Sequence, residues 1–167
     1  MTTATSTTIT RRPILFADAS EREQRSFHGM SIGVLATGGD TAERYAVVEL
    51  VFPPGQATPL HRHLDDEESF VVLYGEIIVL AGDREPVRVG AGGFIHIPAG
   101  MTHALRVPDG DSARVLNITT PGHERFMRAA GTPGRSDEPA TPQDQARLMQ
   151  AADTYATEIL GPPPELD

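Results

Sequence analysis

His61 and His63 stand one residue apart in the segment His61-Arg62-His63-Leu64-Asp65-Asp66-Glu67-Glu68. On an extended chain successive side chains alternate between two faces, so both imidazoles point the same way and can reach one ion. Glu68 ends a turn-like acidic stretch and opens the apolar run Ser69–Leu73, where a hairpin can return its carboxylate to the two histidines. His103 follows Pro98-Ala99-Gly100 at the start of another apolar run. Three neutral imidazoles and one carboxylate form a mixed nitrogen and oxygen set. Such a set suits Fe, Mn, Co, Ni, Cu or Zn and leaves coordination positions open. A lone pair of histidines with this spacing is more often surface decoration; the added glutamate and third histidine favour the metal. Glu67 competes with Glu68 but, one residue off, should face away from the histidines. Asp65 and Asp66 read as a solvated turn.

The elements that must hold these groups are short strands. From about Ile14 to Thr120, runs rich in Val, Ile, Leu and Phe alternate with Gly, Pro and Asp clusters. Strands are expected over Ser31–Thr37, Tyr45–Phe52, Ser69–Leu80, Val87–Arg88, Phe94–Ile97, His103–Val107 and Ala113–Thr119. Breaks fall at Pro53-Pro54-Gly55, Tyr74-Gly75, Gly82-Asp83, Pro98-Ala99-Gly100 and Pro108-Asp109-Gly110. After Pro121-Gly122 the pattern turns helical over His123–Ala130, with Gly131 as its stop. Thr141-Pro142 opens a second helix, with Thr as N-cap and Pro in its first turn. That helix is expected to reach Ala152 and to continue, bent, to Leu160. The resulting division is an N-terminal arm over residues 1–20, partly ordered, a barrel over 21–122 and a helical extension over 123–167.

Composition removes whole classes of chemistry. The 167 residues include no Cys, which excludes disulfides, thiolate nucleophiles and Cys-bound metals. There is no Lys either, so a Schiff-base enzyme is excluded. A net charge of −9 without a basic run disfavours nucleic acid and anionic membranes as partners. Neither a signal-peptide core nor an apolar stretch of spanning length is evident, so a cytoplasmic location is the expectation.

Gly55, His61, His63, Glu68 and Gly75, at spacings of five, one, four and six intervening residues, resemble the first motif of the cupin superfamily. Gly92, Pro98, Gly100 and His103 resemble most of its second motif, and the 16 residues 76–91 between the two have a length usual for a single-domain cupin. The resemblance covers about residues 30–120 and extends loosely into Pro121–Phe126, as in single-domain bacterial cupins of the quercetin 2,3-dioxygenase-like kind. It implies an all-β double-stranded β-helix (jelly-roll) barrel with a short helical tail. It also implies one divalent transition metal per chain on His61, His63, Glu68 and His103, and its motif spacing selects Glu68 over Glu67. The second motif usually ends in Asn four residues after its histidine; here Val107 stands there. Asn117, a strand later, is not assumed to replace it.

The resemblance further implies a metal-dependent dioxygenase acting on a flavonol or similar enol, with Glu68 as the group that takes the substrate's proton. A redox-neutral isomerase or cyclase uses the same ligands, and a non-catalytic ligand-binding barrel shares the fold. Candidate pocket residues are Phe70, Tyr74, Phe94, His96, Leu105 and Phe126, His96 on strand alternation alone. His28 and His123 read as surface residues. Arg62 and Arg106 should point outward, which disfavours phosphorylated substrates. A homodimer is expected, built on an open sheet edge and the N-terminal arm.

Overall fold

A computed structural model describes residues 14–16, 18–136 and 138–166. Most of the expected N-terminal arm lies outside them. The chain forms a jelly-roll sandwich of two antiparallel sheets with two helices after it. In chain order the strands are β1 (Glu23–Phe27), β2 (Met30–Ala36), β3 (Ala46–Phe52), β4 (Leu60–His63), β5 (Glu68–Tyr74), β6 (Glu76–Ala81), β7 (Val87–Gly90), β8 (Phe94–Ile97), β9 (His103–Arg106) and β10 (Ala113–Thr119). Helix α1 (Pro121–Ala130), the short β11 (Thr132–Pro133), helix α2 (Pro142–Thr154) and β12 (Thr157–Gly161) complete the chain. One sheet runs β11-β1-β2-β3-β10-β5-β8 and the other β12-β4-β9-β6-β7. Among the described residues, no helix is long and apolar enough to cross a membrane.

Period-two patterning drives this arrangement. Alternate residues of β3 are buried from Ala46 to Phe52, and β10 buries Ala113, Val115, Asn117 and Thr119 in the same way. Their inner faces, with Ile32, Phe70, Ile77 and Leu105, form the core between the sheets. The tight connection between β5 and β6 requires Gly75, whose φ is +72°. A Cβ there would lie 2.2 Å from the Ser112 carbonyl oxygen, so the position admits no side chain.

The extension departs from expectation in a way that matters for the site. Helix α2 starts as the sequence indicates, with a reciprocal cap between Thr141 and Asp144. It ends at Thr154, however, and residues 157–161 form a strand rather than a bent helical continuation. Pairing with the free edge of β4 (Thr157 opposite His63, Ile159 opposite His61) satisfies backbone groups on both segments. That long-range pairing outweighs local helix preference.

Candidate metal centre

The four groups singled out in the sequence come together between the two sheets. His61 and His63 sit on β4, and His103 lies opposite His61 on β9 of the same sheet. Glu68 opens β5 in the facing sheet. All four side chains are buried, Glu68 at 3% and His103 at 1% relative exposure. One ligand atom from each can be chosen so that all lie within 4.8 Å of one another. The two motifs are stitched together by the Gly100 amide, which donates to the His63 carbonyl at 2.6 Å. Gly100 permits this turn with φ +77°.

The imidazoles are fixed from behind. His61 Nδ1 contacts the Pro59 carbonyl at 2.8 Å, His103 Nδ1 the Met101 carbonyl at 2.9 Å, and His63 Nδ1 the Thr157 hydroxyl at 3.0 Å. A carbonyl can only accept, so His61 and His103 carry a proton on Nδ1; His61 thereby presents a bare Nε2 to the centre, and the His103 Nε2 that faces Glu68 Oε1 is the nitrogen a metal would take in place of its proton. This is the orientation that metal-bound histidines need, each held through its second nitrogen. His63 Nε2 is buried without a hydrogen-bond partner, 3.5 Å from Glu68 Oε1. A buried ring nitrogen without a hydrogen-bond partner beside a carboxylate is costly in a purely structural cluster, and a cation held there would satisfy it. The donor set therefore fits a divalent transition metal.

The carboxylate is gripped at both oxygens. Glu68 Oε1 lies 2.8 Å from His103 Nε2, and Oε2 accepts from Asn117 Nδ2 at 2.8 Å. His123 Nε2 stands 3.2 Å from Oε2. Burial pushes the Glu68 carboxyl upward, but His123, His103 and His63 more than offset it and hold it well below the usual range. Burial, with the neighbouring His103 and His63, keeps His61 far below its ordinary value. Burial and His123 lower His63, whereas His103 is raised because its contact with Glu68 outweighs burial.

Of the candidate pocket residues, Phe70, Leu105 and Phe126 line an apolar cavity that opens onto His61, Glu68 and His123. Its water-accessible volume is about 50 Å³. The sandwich supplies Phe52 and Phe70 on one side; the extension closes the other with Phe126, Met127, Leu148 and Ile159. Tyr74, Phe94 and His96 are not in it. The register of β5 on β10 shifts at Val72–Tyr74, so Tyr74 leaves the inner face, 53% exposed, and its hydroxyl donates to Asp111. On β8 the inner positions are Ile95 and Ile97, so Phe94 (62% exposed) and His96 face outward, the latter beside Ser69.

Two histidines that read as surface residues are also corrected. His123 is buried on α1 and faces Glu68, and His28 is half-buried at the cavity wall. Asn117 is the polar contact that local spacing misses. It is the chain's only asparagine and lies in the middle of an apolar strand, and that oddity is the signal that could have found it. Glu67 is exposed, Arg62 pairs outward with Glu158, and Arg106 with Asp109, as expected.

Comparison with known proteins agrees with the motif reading. Residues 48–119 match the family model for the cupin domain. The chain is 31% identical over 105 residues to quercetin 2,3-dioxygenase of Bacillus subtilis (strain 168), a match covering 63% of this chain and 31% of that one. It thus spans about a third of that relative's length. Two solved structures share the fold. A polyketide cyclase from Streptomyces resistomycificus superposes with a TM-score of 0.58 at 20% identity, covering 86% of this chain and 99% of that one. An RmlC-like cupin from Shewanella frigidimarina gives 0.58 at 18% identity, covering 68% and 96%.

Proposed function

Residues 48–119 being a cupin domain, we propose that this chain is a metal-dependent small-molecule enzyme, a quercetinase-like dioxygenase acting on a flavonol or a related acidic enol. The observation that carries the reading is one buried cluster of three imidazoles and a carboxylate at the polar end of an otherwise apolar cavity. The identity to quercetin 2,3-dioxygenase supports the choice among cupin chemistries.

His61, His63, Glu68 and His103 would hold the metal. When bound, the ion supplies a Lewis acid for the substrate's enolate oxygen and a place for O₂. The chain's own contribution is orientation, exclusion of water and proton handling. Pro59, Met101 and Thr157 keep the imidazoles aimed inward. Asn117 steadies the Glu68 carboxylate through Oε2, and that carboxylate is the group that accepts the substrate hydroxyl's proton. Phe52, Phe70, Leu105 and Phe126 offer flat apolar walls for a planar ring system.

A cavity of about 50 Å³ is far below the roughly 300–1,000 Å³ of a typical ligand site. A flavonol therefore enters only if the cavity widens. Oxygen consumption by the metal-loaded chain on a flavonol panel tests the reading. Uptake that depends on Glu68 and His103 supports it. Turnover of an enol substrate under strict anaerobiosis would overturn it in favour of a redox-neutral isomerase or cyclase.

A further inference from the structure

His123 is not part of either cupin motif, yet it reaches the carboxylate at the centre of the site. It sits in the first turn of α1, is 7% exposed, and brings Nε2 to 3.2 Å from Glu68 Oε2. Its ring centroid is 4.2 Å from that of His63, as close as His61 is to His103. Its Nδ1 is buried with no hydrogen-bond partner. A core histidine kept for packing normally has both nitrogens satisfied. Here one nitrogen is orphaned and the other is spent on an oxygen that Asn117 already serves.

We propose that His123 is a metal ligand supplied by the C-terminal extension, so that the centre comprises four imidazoles and one carboxylate. This rests on the metal reading above and goes beyond it. Glu68 is flanked by imidazoles at both oxygens: His103 and His63 at Oε1, His123 at Oε2. A cation held at that carboxylate attracts all of them. His123 lies outside the compact four-residue group, so its engagement draws α1 inward. The ion thereby ties the extension to the sandwich, on the same helix that carries the cavity residues Phe126 and Met127.

Co²⁺ titration and pulsed EPR of the Cu²⁺-loaded full chain, in wild type and in His123→Gln and His123→Ala, test this. Circular dichroism of the metal-free proteins identifies which variant is folded. The expected result is one imidazole fewer in the Cu²⁺ spectrum of the folded variant, with affinity for Co²⁺ lowered at least about tenfold, the scale on which support of a metal site is felt. A wild type in which hydrogen exchange of α1 amides slows on Co²⁺ loading, with no slowing in the variant, is the second expected readout. An unchanged imidazole count overturns the inference, even if affinity falls, because His123 then only orients Glu68. A wild type that binds neither ion overturns the metal reading itself, and this inference with it.

Discussion

Strand β5 and the residue before it carry two acidic groups, each with a histidine, on opposite faces of one sheet. On the inner face Glu68 meets His103, His63, His123 and Asn117, all buried. On the outer face Glu67 lies 4.0 Å from His96, which also contacts Ser69 at 3.0 Å, with both Glu67 and His96 in water. The residue types are nearly the same and the sequence offset is one. The difference is solvent. Outside, an imidazole and a carboxylate are separately hydrated, and their attraction is worth little. Inside, each group has lost its water, His61, His63 and His103 are fixed through Nδ1, and buried polar atoms, His63 Nε2 among them, are left without a partner. Chemistry here is selected by the face, not by the motif alone.

Removing an inner group should have the largest effect. His103→Ala or Glu68→Ala is expected to abolish stoichiometric metal while the sandwich still folds, as measured by elemental analysis beside circular dichroism. Asn117→Leu should come next. It keeps every ligand but leaves Glu68 Oε2 to His123 alone, and metal affinity should fall about 10–100-fold in a competition titration. Thr157→Val removes only the hydroxyl behind His63, and the loss should be smaller than for Asn117→Leu in the same titration. Glu67→Gln and His96→Ala sit at the bottom of the scale, with affinity within about twofold of wild type. A loss with His96→Ala as large as with Asn117→Leu would erase the distinction between the faces.

Acid should act on the inner face. Folded His61 and His63 titrate below their ordinary value near 6.5, so the unfolded chain binds more protons as pH drops past that point. Metal-free stability is therefore present above about pH 6.5 and is lost progressively as pH falls toward their folded values. His103, raised by Glu68, works in the opposite sense and offsets part of the loss. Calorimetry of the metal-free chain between about pH 7 and pH 5 should show a falling midpoint. A flat profile would contradict the reading that the lowered His61 and His63 outweigh the raised His103.

The four inner ligand candidates were legible because spacing in two short motifs encodes them, and strand alternation separates Glu68 from Glu67. What was not legible depends on contacts between distant segments. Asn117 reaches Glu68 only because β10 lies beside β5 in the register Asn117 to Phe70. His123 is buried because α1 packs its His123 and Phe126 face onto the cavity, and an isolated helix does not reveal which face is covered. Residues 157–161 look helical locally and become a strand at the edge of β4, supplying Thr157 to His63. Tyr74 follows the inward parity of Phe70 and Val72 until a register shift turns it out. In each case tertiary pairing decided what period and propensity left open.

The most direct test of the account is metal content per chain after loading with Co²⁺ and desalting, in wild type beside His61→Ala. Wild type should retain close to one ion per chain and the variant almost none. Wild type that retains no ion, or a variant that retains as much as wild type, would contradict it.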